Sequence, residues 1–128
     1  MAAPIVLIVL LHLNYTGILG PAQAAEDPYL HALADHLTLT GAKFYGAHWC
    51  PHCQQQKEFF GAAATRLPYV ECSPNGGPGT GLSQPCIDAD IQGYPTWYIK
   101  GKKIEEVLTP QQLADASGYV ASKAPASN

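Results

Sequence analysis

Apolar side chains recur at helical and strand spacings along most of the chain after residue 27. Leu30, Leu33 and Leu37 are three and four residues apart, which predicts an amphipathic helix that begins at a proline and ends at Gly41. The apolar and aromatic run over 42–47 is typical of a short strand. The folded part of the chain is therefore expected to begin with a helix followed directly by a strand.

The later segments continue this alternation and add a hairpin. We predict a helix over 51–66, a strand over 68–72, a short helix over 86–91, strands over 96–100 and 102–107 joined at Gly101, and a helix from Thr109-Pro110 to Gly118 with Leu113 and Ala116 facing inward. The segment 73–85 contains four glycines and three prolines, which no regular element tolerates. This order predicts an α/β fold in which a four-stranded mixed sheet has helices on both faces.

The first 25 residues have a different pattern. No charged side chain precedes Glu26, and residues 5–13 are almost wholly aliphatic. A membrane-spanning helix needs about 20 residues, whereas a run of this length followed by Ala22-Gln23-Ala24 is typical of a signal peptide and its cleavage site. No lysine or arginine precedes the run, so an uncleaved anchor or the end of a longer membrane helix is the alternative, and burial in the core is a third. The first two place the remainder outside the cytosol, with a domain over 26–119 and a disordered tail over 120–128.

Composition narrows the functional classes. The chain has 128 residues, with seven Lys or Arg against ten Asp or Glu and a net charge of −3. This length suits one domain, and a chain without a basic excess has no footprint for nucleic acid. Four cysteines are too few for a dense disulfide scaffold, so their positions carry the information.

Cys50-Pro51-His52-Cys53 is a C-x-x-C motif between a predicted strand and a predicted helix, which is the context of a thiol–disulfide redox centre. Cys50 would lie at the helix N-terminus, where free N–H groups, the positive end of the helix dipole and a protonated His52 stabilise a thiolate. Cys53 would close the disulfide from a more buried position one turn later. Pro51 is tolerated in the first turn, and Trp49 would supply apolar surface beside an exposed Cys50 sulfur. Stabilising the thiolate makes the disulfide more oxidising.

Two other uses of this segment are weaker. Four of its residues have metal-ligand side chains, which makes a copper- or zinc-binding carrier the alternative of a different class: His48, Cys50, His52 and Cys53. Four ligands within six residues do not easily close a tetrahedron, and no second ligand pair follows. Covalent haem attachment needs a histidine directly after Cys53, where Gln54 stands. We therefore predict a redox centre with no metal and no cofactor.

The dipeptide Tyr94-Pro95 directly precedes a predicted strand. An aromatic-Pro step is a natural site for a cis peptide bond, which would expose the preceding backbone N–H and C=O to an extended substrate lying across Cys50. An ordinary trans proline that opens a strand is the alternative, and the dipeptide alone favours it.

The segment over 44–53, FYGAHWCPHC, together with Tyr94-Pro95-Thr96, resembles the thioredoxin superfamily. More narrowly, residues 28–119 resemble the thioredoxin-like domain associated with bacterial and plastid homologues of vitamin K epoxide reductase. The resemblance implies a thioredoxin-like fold. It also implies exchange of disulfides with cysteine-containing substrate proteins and with a quinone-linked membrane protein, in the periplasm or the thylakoid lumen.

The same resemblance implies roles for individual residues. Cys50 corresponds to the exposed attacking thiol, Cys53 to the resolving thiol and Pro95 to a cis proline. Our candidate substrate-binding residues are Trp49, Tyr94 and Pro95. The Pro-His dipeptide between the cysteines is also that of the strong oxidant DsbA. We therefore expect net oxidation of substrate thiols, with a periplasmic reductase or isomerase as the alternative.

The chain departs from the family in three respects. Larger family members have several membrane helices before this domain, whereas this chain has at most one hydrophobic segment. The leading strand of a full thioredoxin is not predicted here, because the domain begins at the helix after Asp27. Thioredoxin and DsbA place a buried acid six residues before the first cysteine, where this chain has Phe44. The usual proton acceptor for the resolving thiol of Cys53 is therefore missing.

Cys72 and Cys86 lie on either side of the Gly/Pro-rich loop. In an oxidising compartment two such cysteines pair readily, and closing a loop of about 15 residues stabilises a fold by about 3 kcal/mol in the chain-entropy model. The family carries a comparable pair, so we predict a structural disulfide. A second redox pair that relays electrons to Cys50 and Cys53 is the alternative, followed by two free thiols.

Overall fold

The computed structural model describes residues 27–121. Its elements in chain order are helix α1 (Pro28–Leu39), strand β1 (Lys43–Gly46), helix α2 (Pro51–Glu58), a 3₁₀ helix (Gly61–Arg66), strand β2 (Tyr69–Glu71), helix α3 (Gln84–Asp88), strand β3 (Thr96–Ile99), strand β4 (Lys102–Ile104) and helix α4 (Pro110–Ser117). The predicted signal segment over 1–25 and most of the predicted tail over 120–128 lie outside the described residues.

The four strands form one mixed sheet in the order β2-β1-β3-β4. Strand β1 pairs in parallel with β2 and antiparallel with β3, and β3 pairs antiparallel with β4. This confirms the predicted four-stranded mixed sheet and its hairpin. Only Asp27 precedes α1 within the described residues, so the expected absence of a leading strand stays a prediction.

The sheet has a different core on each face because neighbouring residues of a strand point in opposite directions. On one face Phe44 stacks on Trp97 with ring centroids 4.9 Å apart and meets the edge of Tyr69 at 5.0 Å. This face carries the main core, which includes buried residues of α1, α2 and α4. On the other face Tyr45 and Tyr98 pack against a smaller cluster that includes Cys86 of α3.

Local sequence signals set the start of helix α1 and both ends of helix α4. Asp27 caps α1 by accepting from the Tyr29 backbone N–H at 3.0 Å. Thr109 caps α4 in a reciprocal arrangement with Gln112, and Gly118 ends that helix with a φ of 71°. Both starts therefore lie where the sequence predicts them.

Several predicted boundaries are wrong. The predicted helix over 51–66 is two pieces, because Phe60 turns into the core and Gly61 takes a φ of +51°, which an α-helix cannot continue through. The short helix begins at residue 84 and ends at 88, and β4 stops at residue 104. On α4 Leu113 is buried and the half-buried Ala116 packs against the main core, as predicted, and Ala114 is buried as well.

A buried amide joins α2 to the segment before α4. The Gln56 side chain is 0% exposed. Its Oε1 accepts from the indole N–H of Trp97 at 2.9 Å and from the backbone N–H of Leu108 at 2.8 Å, and its Nε2 donates to the Leu108 carbonyl at 2.8 Å. One side chain therefore satisfies three polar groups inside the core.

The two ends of the described fold meet. Tyr29 on α1 and Tyr119, which follows α4, have ring centroids 5.9 Å apart, and His36 lies 5.0 Å from Tyr119. A ring nitrogen of His36 lies 3.1 Å from the Ser117 carbonyl. No helix within residues 27–121 has both the length and the hydropathy needed to cross a bilayer.

Candidate active site

The C-x-x-C motif lies at the N-terminus of α2. After β1 ends, a turn brings Cys50 to the N-cap position, where its backbone N–H donates to the Ala47 carbonyl at 3.0 Å. Pro51 occupies the first turn of the helix, and Cys53 lies within that turn. The positive end of the helix dipole is therefore at Cys50. Both cysteines are unbonded thiols.

The two sulfurs differ in exposure, although less than expected. Cys53 is 1% exposed and Cys50 is 8% exposed, so Cys50 is not the openly exposed thiol of the sequence-based expectation. The segment at Tyr94 covers it, because the Cys50 thiol donates to the Tyr94 carbonyl with a sulfur–oxygen distance of 3.8 Å. A substrate must therefore reach Cys50 beside the backbone at Tyr94.

Tyr94 and Pro95 lie next to the thiols and are joined by a cis peptide bond. The Tyr94 ring meets the half-buried Trp49 ring edge-on, with centroids 5.8 Å apart and an interplanar angle of 84°. The structure thus brings together four of the residues selected from the sequence, since Trp49 and the Tyr94–Pro95 step surround Cys50.

Two open grooves flank this aromatic pair. One has a volume of about 300 Å³ and is bordered by His52, Pro95 and Glu106 among others. The other, of about 420 Å³, runs between Trp49 and the Gly/Pro-rich loop at Leu82. Tyr94 lines both grooves. His52 is exposed and lies at the border of the first groove.

Cys53 is held in a protected environment on the main-core face of the sheet. Burial and the neighbouring Cys50 thiol raise the pKa of Cys53 to about 12, against opposing effects of a hydrogen bond from Ala47 and the positive charge of Lys57. Gly46 allows this close packing, because a Cβ at that position would lie 2.8 Å from the Cys53 sulfur. Phe44 belongs to the aromatic core and offers no proton acceptor.

Two residues that the sequence analysis did not select, Lys57 and Tyr69, lie near Cys53, and a third, Glu71, binds Tyr69. The Lys57 Nζ lies 3.7 Å from the centroid of the Tyr69 ring, and the Tyr69 hydroxyl donates to Glu71 Oε1 at 3.1 Å. Burial and the negative charge of Glu71 raise the pKa of Tyr69. The available signals were the four-residue spacing from Cys53 to Lys57 on a predicted helix and the two-residue spacing from Tyr69 to Glu71 on a predicted strand.

Comparison with known proteins agrees with this geometry. No family model matches the chain. It is 45% identical over 107 residues to the thiol-disulfide oxidoreductase LTO1 of Arabidopsis thaliana, an alignment that covers 82% of this chain and 28% of that protein. The described residues have a thioredoxin-like fold. A second relative, the thioredoxin domain-containing protein 5 homolog of Drosophila melanogaster, is 28% identical over 114 residues, which are 80% of this chain and 26% of that protein.

The thioredoxin-like domain described here therefore spans about a quarter of the length of the curated relatives it matches. Its four-stranded mixed sheet with flanking helices is the thioredoxin-like fold expected from the sequence. The activity, substrates and partners of the longer relatives belong to those whole proteins.

The second cysteine pair is a disulfide. Cys72 and Cys86 are joined with Cα atoms 5.7 Å apart, and both are 0% exposed. They belong to the smaller core cluster, whereas Cys53 belongs to the main one. The bond fixes both ends of the loop whose middle portion lines the groove beside Trp49.

The residues considered for metal binding do not assemble. Within residues 27–121 no group of three or more His, Cys, Asp or Glu side chains has an arrangement that holds a metal ion. A ring nitrogen of His48 lies 2.9 Å from the carbonyl of Gly76 in the loop, and its backbone N–H donates to Glu71. The metal-carrier alternative therefore has no ligand cluster in the described part of the chain.

Proposed function

We propose that this chain is a thiol–disulfide oxidoreductase that oxidises thiols of substrate proteins. The observation that carries the proposal is the position of Cys50 at the N-cap of α2 with Cys53 buried one turn later. A helix N-terminus suits a sulfur that alternates between disulfide and thiolate. The similarity to a thiol-disulfide oxidoreductase over most of the chain supports this activity.

The proposed reaction begins with the Cys50–Cys53 disulfide. A substrate thiolate attacks the Cys50 sulfur, the Cys50–Cys53 bond breaks, and its electron pair goes to Cys53, which takes up a proton. A second substrate thiolate then attacks the substrate sulfur of the mixed disulfide, and Cys50 leaves as a thiolate. Two electrons have then moved from the substrate dithiol to the Cys50–Cys53 pair. Of the two substrate thiol protons, one is matched by the proton on Cys53, and the other is released to solvent or taken up by the Cys50 thiolate.

The proposed substrate position follows from the surroundings of Cys50. An extended segment that contains a cysteine fits beside Trp49 and the Tyr94–Pro95 step, where the grooves on both sides leave room for neighbouring substrate residues. Tyr94 presents its carbonyl at Cys50, so a substrate backbone N–H that displaces the thiol contact finds an acceptor there.

We place re-oxidation and location in the same proposal. The domain resembles those associated with vitamin K epoxide reductase homologues, so a quinone-linked membrane protein of that kind would take the two electrons through its own disulfide. The aliphatic N-terminal run supports action outside the cytosol, in the periplasm or thylakoid lumen. Cell fractionation with protease protection tests the location, and recovery of the disulfide form in vesicles that contain such a partner and quinone tests the electron acceptor.

The reduction potential of the Cys50–Cys53 pair tests the direction. The full chain is equilibrated in glutathione buffers, and alkylation with mass mapping follows this pair separately from Cys72–Cys86. We expect a potential between about −120 and −200 mV, as for oxidants and isomerases, whereas a value near about −270 mV indicates a reductant. A Cys53→Ser variant should accumulate mixed disulfides at Cys50. A chain that exchanges disulfides in neither direction contradicts the proposal.

A further inference from the structure

Thiol exchange at Cys50 produces a thiolate at Cys53. The described structure has no carboxylate at the position where thioredoxin and DsbA hold the buried acid that exchanges a proton with this thiol. When the disulfide opens, the departing Cys53 sulfur carries the electron pair in a site that is 1% exposed. The residue six positions before Cys50 is Phe44, whose ring stacks on Trp97 in the core. Some other group must favour the departing thiolate, because a buried charge without compensation is strongly disfavoured.

Lys57 is the cation best placed to do so. It follows Cys53 by four residues on α2, which puts the two side chains on the same face of the helix. The ion pairs within residues 27–121 are Arg66–Asp35 and Lys103–Glu105, so Lys57 has no carboxylate partner in the described chain. Its half-buried ammonium lies instead over an aromatic ring.

Tyr69 holds that ammonium next to the thiol. The Lys57 Nζ is 3.7 Å from the ring centroid, within the range of a cation–π interaction. The same ring borders Cys53, because a Cβ placed on Gly46 would lie 2.8 Å from the Cys53 sulfur and 2.9 Å from Tyr69 Cε2. The ring therefore touches both the cation and the neighbourhood of the sulfur.

Glu71 fixes the position of the ring. Its carboxylate accepts from the Tyr69 hydroxyl at 3.1 Å, from the His48 backbone N–H at 3.0 Å and from the Ser73 backbone N–H at 3.0 Å. The two backbone donors hold the carboxylate in place, so it anchors the phenol. Within residues 27–121 the titratable groups that act on Cys53 or are acted on by it are Cys50, Lys57, Tyr69 and Tyr94, and Glu71 acts on the two tyrosines.

We propose that Lys57, positioned by the Tyr69 ring and through it by Glu71, stabilises the Cys53 thiolate that forms when the Cys50–Cys53 disulfide opens and reacts when it closes. The inference rests on the proposed function. In the opening step the attacking thiolate bonds to Cys50, the Cys50–Cys53 bond breaks, and the electron pair goes to Cys53 beside the ammonium. Closure is the reverse, so Lys57 acts in both directions of exchange.

The expected size of the effect follows from the dependence of thiol exchange on thiol pKa. An opposite charge near a thiol lowers its pKa by about 1 or more, so removing the charge of Lys57 leaves about tenfold less Cys53 thiolate. The remaining thiolate is a better nucleophile, with a Brønsted coefficient of about 0.4–0.5, so the closure rate falls about threefold. At neutral pH Cys53 is a neutral thiol in the opened form and part of the disulfide in the closed form, so neither end state carries the charge that Lys57 stabilises. The equilibrium is therefore unchanged, and opening slows by the same factor.

The test compares Lys57→Met with wild type in the full chain. Stopped-flow measurements with glutathione at neutral pH give the rates of disulfide opening and closure, and glutathione equilibration gives the reduction potential. We expect both rates to fall about threefold while the potential stays constant. Lys57→Arg should restore the rates. Lys43→Met, which removes an exposed lysine on β1, should leave them unchanged.

A second variant tests the positioning role. Tyr69→Leu removes the ring, so it should slow exchange as Lys57→Met does, and the double variant should be no slower than either single one. Unchanged rates in Lys57→Met overturn the inference, and so does a slowing that comes with a shifted potential, since that result assigns Lys57 a structural role. Absence of exchange in wild type contradicts the proposed function instead, so the two failures are distinguishable.

Discussion

The buried amide of Gln56 gives the sharpest test of how α2 is fixed to the rest of the fold. Gln56→Leu keeps a similar side-chain volume but removes three hydrogen bonds. The groups that lose their partner are the indole N–H of Trp97 and the backbone N–H and carbonyl of Leu108. Because Trp97 is 0% exposed and Leu108 is 4% exposed, water does not readily replace the lost bonds. The three polar groups are therefore left unsatisfied in the core.

The magnitude follows from these three groups. Each unsatisfied buried group costs about 1–3 kcal/mol, and the leucine recovers about 1–2 kcal/mol through apolar burial. We expect the free energy of unfolding to fall by about 3 kcal/mol, a large part of the roughly 5–15 kcal/mol by which domains are stable. Urea unfolding of the full chain, followed by tryptophan fluorescence, measures the change.

Gln55→Leu is the matched control because Gln55 is the exposed neighbour on the same helix. This substitution should change the free energy of unfolding by less than about 0.5 kcal/mol. A loss below about 1 kcal/mol in Gln56→Leu, or an equal loss in both variants, would refute the argument that the amide network holds α2 in place.

Two further predictions concern the cysteines. Replacing both Cys72 and Cys86 by serine should lower the free energy of unfolding by about 3 kcal/mol, because the cross-link across the loop is lost. The reduction potential of Cys50–Cys53 should not change, whereas a changed potential would favour an electron relay between the pairs. The reduced protein should also lose stability as pH rises from about 9 towards 12, since the unfolded Cys53 thiol ionises near its ordinary pKa of 9.0 and the folded one only near a pKa of about 12. Between pH 8 and pH 10 the free energy of unfolding from urea titrations should fall by about 1.4 kcal/mol more in total than in Cys53→Ser, and parallel curves would contradict this assignment.

The redox motif could be placed from the sequence because local signals agree there. A short apolar strand, a C-x-x-C sequence and a proline in the first helical turn all indicate that Cys50 begins a helix. The alternation of apolar residues likewise predicts the mixed sheet. The motif and the individual strands depend on neighbours along the chain, which is the information that a single sequence carries best.

Features that depend on contacts between distant residues were not predictable in this way. Phe59 and Phe60 fit a continuing helix equally well, and the helix breaks because the core takes the second ring. The near burial of Cys50 arises from Tyr94, 44 residues later. Lys57 and Tyr69 meet only because β2 folds back beside β1.

The contact between Tyr29 and Tyr119 has a consequence for how this fold is joined to other protein. The start of α1 and the end of α4 lie close together. The domain can therefore be inserted into another polypeptide, or joined to its end, through short linkers. Tension between those two linkers would act first on the packing of α1 against α4 and would reach the hydrogen-bonded sheet only afterwards. The fold is thus suited to serve as one domain of a longer polypeptide. The alignments with the two relatives cover about a quarter of each relative's length.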